Sequence, residues 1–412
     1  MINFLLPEPV MLALRWALLL GPIGLVVVLI RFRQIAKQAQ IGGLFAFLYG
    51  VPMVFVTHAL ALHLGWWRYG WDALMVNGIP ADILIGGAVL FGPGLYFAFP
   101  NTRPLMICLP IIVGLHGTVF SSLEPLVYAG PYWFWGVAFV FLFAHLPAIY
   151  LAKWTAEGRN LPLRCALLAI MTGGMIFAIV PSLIMQAMGG SWDLLARPVW
   201  VLVVTLVALG LVSTIGLSAN QSLCLQGDGT PIPLDPTKRL VTTGIYAYVS
   251  NPMQLSAALG FLVLGVFLMN VWIIAAALMA WVFVQGMVRW HHRHDLLKRF
   301  PTGWPEYKQN VPEWLPRWTP WIKGEATLHL RQDHGVLWKL LTHAKGLQVL
   351  PTSGQATYEN TENLAGFRGA SAVLVALTHI NFAWMIFAAG LLLPLLALGY
   401  VWERVSFQRV SA

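Results

Sequence analysis

The sequence predicts an all-α polytopic membrane protein with about nine transmembrane helices and a small cytoplasmic α/β module at its C-terminal end. Three observations support this fold class. The 412 residues are 58% hydrophobic and only 10% charged, whereas soluble domains average about 45–50% apolar and about 25% charged residues. Apolar runs of spanning length recur as far as residue 290. Beyond residue 322 the chain becomes mixed and polar, which is typical of a separate water-exposed module.

The apolar runs give the order of the membrane helices. They occupy residues 8–30, 41–65, 79–100, 103–121, 130–153, 161–187, 197–218, 251–269 and 270–290. A run of about 20 apolar residues is long enough to cross the hydrocarbon core as a helix. Only Asn270 separates the last two runs, so they are predicted to form a tight helical hairpin.

Basic residues indicate how these helices are oriented. The loops after the first, third and fifth runs are "RFRQIAKQ", "NTRP" and "KWTAEGRNLPLR", and cytoplasmic loops are enriched in Lys and Arg. This rule places the N-terminus outside, and the 219–250 loop and everything after residue 290 in the cytoplasm. The formal net charge of +9 is then explained by loops facing anionic membrane lipids, and no nucleic acid partner is expected.

The stretch "RLVTTGIYAYVSNPMQL", residues 239–255, places many polar groups at the mouth of an apolar helix. Hydroxyls, backbone amides and an aromatic face suit a nucleotide-like cofactor, and a glycine lets the backbone approach it closely. Pro252 suits the first turn of a helix, and Asn251 is predicted to be its N-cap. The predicted cofactor contacts here are Thr242, Thr243, Gly244, Tyr246, Tyr248, Asn251, Pro252 and Gln254. The alternative interpretation is a capped helix whose tyrosines anchor it at the membrane interface.

An ordered set of residues continues from this stretch through the hairpin. Its members are Gly229, Thr230, Pro231, Leu240, Val241, Gly244, Tyr246, Asn251 and Pro252, then Leu296, Phe300, Tyr307, Val311, Pro312 and Pro316. The pattern resembles the membrane methyltransferases typified by isoprenylcysteine carboxyl methyltransferase and the bacterial phospholipid methyltransferases, over residues 219–320. The apolar runs predict a seven-span domain over 1–218, the resemblance implies a methyltransferase-like core over 219–322, and a separate module is predicted over 323–412.

Three positions depart from the pattern of that family. Ser250 stands where the family has Arg, and Gln254 stands where it has Tyr. The family's Glu-Glu pair, which the resemblance places at the cofactor, falls on His292 and Arg293. A carboxylate balances the positive charge of a sulfonium, whereas protonated His and Arg do not. The nearest acid is Asp295.

The stretch "RWHHRHDLLKRF" at the end of the hairpin allows three interpretations. The first is a basic helix end that snorkels to the headgroups. The second is a rebuilt active site, in which His291 or His294 is a neutral general base and Asp295 helps to close the site. On a helix these three residues share one face. The third is a His/Asp metal site, but no partner ligands are evident, and the three cysteines show no metal-type spacing.

Ionisable residues in or near the N-terminal apolar runs are also functional candidates. Arg15 and Asp82 lie near the ends of runs, where we expect them to snorkel towards water. For the histidines, hydrogen bonding inside the bundle is the simpler interpretation. It is left open for His116 and His145, which lie deeper in their runs than Arg15 and Asp82 do.

The C-terminal module begins with a predicted strand, a helix and a second strand ending at Pro351. Residues 326–409 resemble a degenerate thioredoxin-like domain of the DCC type, in which the two motif cysteines are replaced by Val336 and Lys339. Because thiol exchange requires a thiolate, this resemblance implies a structural or docking module that could hold a protein partner.

The last apolar run, 382–402, is predicted to be broken by Pro394. We expect its two parts to pack on the module or to lie at the membrane surface. A tenth span is the alternative.

The leading functional hypothesis is an integral membrane methyltransferase that uses S-adenosylmethionine and a lipophilic acceptor arriving from the bilayer. Its cofactor contacts would include His292 and Arg293. One alternative is an NADPH-dependent membrane reductase of the sterol or enone type, because cations in place of the Glu pair suit a phosphate-bearing cofactor. The other alternative is a non-catalytic lipid-binding scaffold.

Overall fold

The protein is described here from a computed structural model, which covers residues 7–70, 74–114, 123–193, 197–333, 335–360, 365–402 and 408–409. The chain divides into two compact units, Met1–Gly190 and Ser191–Ala412. Six helices in the described residues are long and apolar enough to cross a membrane. The prediction of a polytopic, mostly helical integral membrane protein is thereby confirmed.

The first unit is built around long apolar helices. They are α1 Glu8–Arg33, α2 Lys37–His63, α3 Asp82–Ala98, α4 Pro104–Gly114, α5 Trp133–Glu157 and α6 Leu161–Met188. Its strands are β1 Trp67–Tyr69, which pairs with β4 Val127–Ala129, and β2 Met75–Val76, which pairs with β3 Ile79–Pro80. Glycine permits the close packing of α2 on α5, because a Cβ at Gly42 would lie 2.4 Å from the Ala152 carbonyl oxygen.

Arg15 and Asp82 form a buried ion pair inside the first unit, so the expectation that they snorkel is wrong. An Arg15 Nη1–Asp82 Oδ2 distance of 3.0 Å joins side chains that are only 4% and 3% exposed. Arg15 Nη2 also donates to the carbonyls of Gly70 and Leu126, each at 3.1 Å. A buried charge is tolerated when it is paired and hydrogen-bonded, and here the partners come from distant parts of the sequence.

The second unit begins with a helix and a helical hairpin. Its first elements are α7 Val199–Leu225, the short 3₁₀ turn Gly244–Ala247, α8 Pro252–Leu268, α9 Val271–Arg299 and α10 Gly303–Asn310. The predicted hairpin is confirmed, with Asn270 at its turn. The Asn270 Oδ1 accepts from the Trp272 and Ile273 amides at 3.0 and 3.2 Å, which caps α9.

The seventh predicted span, which closes the predicted 1–218 domain, instead belongs to the second unit as α7. The reason is its packing on α8. The Ser256 hydroxyl of α8 donates to the Val212 carbonyl at 2.8 Å. A Cβ at Gly216 would lie 2.8 Å from that hydroxyl oxygen, so the absence of a side chain there lets the two helices approach.

Three of the nine predicted runs correspond to helices shorter than 18 residues in the described chain: Asp82–Ala98, Pro104–Gly114 and Pro252–Leu268. The predicted run 103–121 ends in residues outside the described part of the chain. The other six runs coincide with the long apolar helices.

The C-terminal part of the second unit is an α/β module. Its elements are β5 Ala326–Leu330, α11 Gly335–Thr342, β6 Leu347–Pro351, β7 Thr357–Asn360, β8 Ala365–Arg368, α12 Ala370–Leu377, α13 Phe382–Trp402 and β9 Gln408–Arg409. The sheet order is β6-β5-β7-β8-β9, with β5 parallel to β6 and the other pairs antiparallel. The predicted strand, helix and strand are therefore present. The relationship to thioredoxin-like domains stays a prediction.

Helix α13 joins the module to the 3₁₀ turn and the start of α8 in the same unit. It continues through Pro394, so the predicted break is wrong. Ala388 and Leu392 are buried in the core of the module, while Met385 and Ala389 pack on the residues around the 3₁₀ turn. Burial on these two sides explains why the helix persists despite the proline.

Candidate functional site

The loop that leads into the 3₁₀ turn is folded by its own backbone hydrogen bonds. The Thr230 hydroxyl donates to the Asp235 carbonyl at 2.8 Å, and the Lys238 amide donates to the Gly227 carbonyl at 2.7 Å. A Cβ at Gly229 would lie 2.4–2.5 Å from backbone atoms of the 236–237 segment. Chain packing thus explains Gly229 and Thr230 of the sequence pattern. The loop forms one wall of a cavity.

The 3₁₀ turn is held by the segment that follows the hairpin. Gly244 has φ +62°, a conformation that favours glycine. The Tyr307 hydroxyl donates to the Tyr246 carbonyl at 2.9 Å, and the Ser250 amide donates to the Pro312 carbonyl at 2.8 Å. Burial raises the pKa of both tyrosines above the ordinary value, so the two hydroxyls remain protonated.

A cavity of about 210 Å³ lies between this loop, the start of α8 and the end of α9. Its polar lining residues include Thr230, Thr237, Tyr246, Ser250, Asn251, Gln254, His291, His292, Arg299 and Tyr307. Phe283 and Met287 of α9 line it as well and are 49% and 56% exposed. The cavity therefore has a polar floor and an apolar, open side on a membrane helix.

Asn251 lies at the N-cap position of α8, but its side chain makes no capping hydrogen bond. The prediction that it caps the helix is therefore wrong. Its backbone ψ of 56° lies outside the extended region that a capping residue usually adopts. The side chain is 2% exposed, lines the cavity, and its Nδ2 has no hydrogen-bond partner among the described residues. A buried amide donor without a partner is costly unless a ligand satisfies it.

The end of α9 brings two of the three predicted catalytic residues together. His291 Nε2 lies 3.5 Å from Asp295 Oδ2. Arg299 holds the same carboxylate through Nε at 2.9 Å and Nη2 at 2.5 Å, and its Nη1 donates to the Thr237 carbonyl. The carboxylate is thus fixed beside a cavity-lining imidazole. Asp295 itself does not line the cavity.

The remaining histidines and Arg293 take different positions. The His292 ring lies 4.5 Å from the Trp304 ring at the cavity wall. His294 is exposed and stacks on Trp290, and Arg293 is exposed as well. One turn of α9, His292–Leu296, is π-helical, which shifts side chains away from ideal α-helical spacing. The expected common face is formed by His291 and Asp295 alone, which lie 3.5 Å apart, while His294 stacks on Trp290.

Pro252 lines this cavity as predicted, whereas Thr242, Thr243, Gly244 and Tyr248 do not. Thr243 and Gly244 line a second, smaller cavity of about 50 Å³ towards the module, where the Thr243 hydroxyl lies 2.6 Å from Gln226 Oε1. The Tyr248 hydroxyl donates to the Thr378 carbonyl at 2.7 Å. Thr242 is buried and lines neither cavity.

Sequence reasoning did not single out Arg299 and Trp304, which line the larger cavity. For Arg299 a signal was present, because it follows Asp295 at the i+4 spacing of helical ion pairs. Trp304 carries no comparable signal, since its contact with His292 is formed by the turn between α9 and α10.

The cavity is lined by cationic and neutral groups. None of the described lining residues bears a carboxylate. Beside it, Lys308 Nζ lies 3.3 Å from the hydroxyl oxygen of Ser250 and 2.8 Å from Glu313 Oε1, so a cation from another segment stands next to the position where the family has Arg. Partial burial alone would raise the pKa of Glu313, but Lys308 and Arg289 outweigh it and lower this pKa. Glu313 is therefore an ionised partner of these cations.

Across the described ranges, no group of three or more His, Cys, Asp or Glu side chains is placed to hold a metal ion.

These elements define a class: an integral membrane protein with a polar cavity at the mouth of a helical hairpin and an open side on a membrane helix. Residues 200–295 match the family model described as Phospholipid methyltransferase. The predicted resemblance to membrane methyltransferases is thereby confirmed for the segment from α7 to α9, which is less than a quarter of the 412 residues. No curated protein and no solved structure matches the chain.

Proposed function

We propose that the protein is an S-adenosylmethionine-dependent methyltransferase that acts on a lipophilic acceptor, with its site in the cavity between α8 and α9. The observation that carries this proposal is the buried Asn251 amide, whose Nδ2 has no partner among the described residues and lines that cavity. It lies within the segment that matches the methyltransferase family.

The residues present fit an adenosyl-type cofactor. Asn251 offers a free donor, and Gln254 offers a second amide with both a donor and an acceptor. Tyr246 adds an aromatic face and a hydroxyl that has no hydrogen-bond partner among the described residues. We infer that these three side chains would hold the cofactor, with His292 and Trp304 forming the opposite wall. When bound, S-adenosylmethionine supplies an electrophilic methyl group on a sulfonium sulfur.

The open side of the cavity supports a lipophilic acceptor. Phe283 and Met287 line the cavity and are also exposed on the outer surface of α9. Neighbouring residues of this helix, Leu278, Met279 and Val282, are apolar and more than half exposed. An acceptor dissolved in the bilayer would therefore reach the cavity laterally, without crossing water.

His291 is the residue best placed to accept a proton from the acceptor. It lines the cavity, and the Asp295 carboxylate lies 3.5 Å from its Nε2. Because Arg299 fixes that carboxylate, Asp295 is a positioning residue for the imidazole. Methyl transfer between well-positioned partners draws mainly on proximity, so the missing Glu pair does not exclude catalysis. The exposed His294 is a weaker candidate for the base.

We also propose the orientation that the basic loops indicate, with the N-terminus outside and the cavity and the module in the cytoplasm. The module packs on the 3₁₀ turn through α13. This contact supports a structural role for the module, and its outer surface remains available for a protein partner.

The test is calorimetric titration of the detergent-purified full chain with S-adenosylmethionine, S-adenosylhomocysteine and NADPH. We expect micromolar binding of the two S-adenosyl compounds, and roughly tenfold weaker binding in Asn251→Ala, the loss expected for one hydrogen bond. Asn270→Ala is the matched control, because it removes the same side chain at a helix start away from the cavity. Binding of NADPH alone would favour a reductase, and the absence of all binding would favour a scaffold.

A further inference from the structure

The first unit contains a separate cavity of about 180 Å³ that the proposed methyl transfer does not use. Its walls come from α2, α3 and α5 and from strands β1 and β4. Most lining residues are apolar or aromatic, including Trp67, Phe91 and Phe141. Two imidazoles, those of His58 and His145, also line it. An apolar cavity of about 150 Å³ accommodates a benzene ring, so this cavity has room for one six-membered ring.

The hydrogen bonds around His58 fix where its proton is. The indole Nε1–H of Trp67 can only donate, and it donates to the Tyr69 hydroxyl at 3.1 Å. The Tyr69 hydroxyl also contacts His58 Nδ1. Among the described residues, His58 Nδ1 is the only acceptor available to the Tyr69 hydroxyl proton. Tyr69 therefore donates to Nδ1, and the proton of the neutral imidazole lies on Nε2. That N–H has no protein partner in the described part of the chain.

His145 provides a second polar side chain without a hydrogen-bond partner in the described part of the chain. It is 5% exposed, and its ring packs against Phe91 at 4.5 Å and Phe141 at 4.9 Å. Among the described residues neither ring nitrogen of His145 has a hydrogen-bond partner. Buried polar groups are normally hydrogen-bonded. An acyl chain in the cavity would leave both imidazoles without partners, whereas a ring with a carbonyl oxygen would accept from His58 and stack on the aromatic walls.

We propose that this cavity binds a membrane-soluble ring compound bearing a carbonyl oxygen, of the quinone class. The carbonyl accepts a hydrogen bond from His58 Nε2–H, and His145 lies at the ring. Tyr69 and Trp67 act as positioning residues, because they hold the imidazole in the donor tautomer. The site lies wholly within the first unit and is independent of the methyltransferase proposal.

Gly87 offers a direct way to fill the cavity. It lines the cavity, and a Cβ at this position would meet no atom within 4 Å. Gly87→Leu should therefore extend into the space of the ligand from a Cβ that meets no packed atom. Gly24→Leu is the matched control, since Gly24 is exposed on α1 and a Cβ there also meets nothing within 4 Å.

The experiment is calorimetric titration of the full chain in lipid nanodiscs with 2-decyl-1,4-benzoquinone, and with decylbenzene, which has a six-membered ring and the same tail without carbonyl groups. We expect saturable 1:1 binding of the quinone and at least roughly tenfold weaker binding of decylbenzene, as for the loss of one hydrogen bond. Gly87→Leu should abolish binding while Gly24→Leu retains it. His58→Phe should weaken quinone binding about tenfold and leave decylbenzene binding unchanged.

Three results would overturn the proposal. They are no saturable quinone binding by the wild-type chain, equal binding of the two probes, or binding unaffected by Gly87→Leu. If Gly87→Leu does not fold, His58→Phe alone decides the matter through its different effects on the two probes. Asn251→Ala should bind the quinone like the wild-type chain, which separates this site from the proposed methyltransferase site.

Discussion

Two asparagines begin the two helices of the hairpin, and only one of them caps its helix. Asn270 has ψ 107° and its Oδ1 accepts from two amides of α9. Asn251 has ψ 56°, makes no capping bond, and keeps a buried Nδ2 without a partner among the described residues. The same residue type at the same helix position is thus structural in one place and available to a ligand in the other. The hydrogen-bond partners of a buried polar group therefore indicate its role better than its type does.

The ion pair of the first unit is the strongest test of the idea that a buried polar group with partners stabilises the fold. Asp82→Ala would leave the Arg15 guanidinium buried and unpaired, and we expect a loss of about 3–5 kcal/mol of stability. Thermal unfolding in detergent measures the effect. The double variant Arg15→Leu with Asp82→Leu should recover much of the loss, because it removes both charges. A single-variant loss below about 1 kcal/mol would mean that Arg15 reaches water after all.

His379 in the module is a fully partnered polar group whose partners require it to be neutral. Its Nδ1 lies 3.0 Å from the Lys345 carbonyl and its Nε2 lies 2.8 Å from the Tyr358 hydroxyl. The carbonyl can only accept, so Nδ1 carries the proton and Nε2 accepts from Tyr358. Burial lowers the pKa of His379 to about 4, although the bond to the Lys345 carbonyl opposes this.

A lowered pKa means that the unfolded module binds a proton more readily than the folded one. The stability that His379 provides is therefore complete above pH about 6.5 and is lost as the pH falls towards about 4. The loss should reach about 3 kcal/mol, at 1.36 kcal/mol per pKa unit. Hydrogen exchange of the module as a function of pH measures it. His379→Gln should flatten the profile, while His343→Gln, at an exposed position, should not. An unchanged profile in His379→Gln would contradict the assignment.

Two tyrosines repeat the asparagine contrast on a smaller scale. The Tyr307 hydroxyl donates to the Tyr246 carbonyl at 2.9 Å, so Tyr307→Phe leaves a buried acceptor unsatisfied and should cost about 1–3 kcal/mol. The Tyr246 hydroxyl has no such partner among the described residues. Tyr246→Phe should keep the unfolding temperature and weaken S-adenosylmethionine binding. The same loss of stability in both variants would remove the distinction.

Local patterns in the sequence predicted the parts of the fold that depend on local chemistry. The hairpin follows from two apolar runs and one polar residue, Asn270. The strand, helix and strand at residues 326–351 follow from periodicity in the same way. The family resemblance placed the predicted cofactor site at the end of the hairpin where the cavity of about 210 Å³ lies; its use as a cofactor site stays a prediction.

Contacts between distant residues were not predictable in this way. Arg15 and Asp82 are 67 residues apart, and nothing near either one indicates the other. Asn251 was predicted as a cap because Asn is a common N-cap residue, but its backbone angles are set by the loop on which it lies. In each case tertiary packing determines the conformation of the side chain or the backbone, and a local sequence pattern carries no information about that packing.

The prediction with the smallest expected effect is the most direct test of the difference between Asn270 and Asn251. Asn270→Ala removes a cap and should cost about 1 kcal/mol, within the usual range of about 0.5–2 kcal/mol for such changes, with binding of S-adenosylmethionine unchanged. Asn251→Ala removes an amide that caps nothing, so the unfolding temperature should not fall and only binding should weaken. Thermal unfolding and calorimetry of the two variants, side by side, separate these outcomes. If Asn251→Ala destabilises the protein as much as Asn270→Ala does, Asn251 is a structural residue and the cavity loses its principal donor.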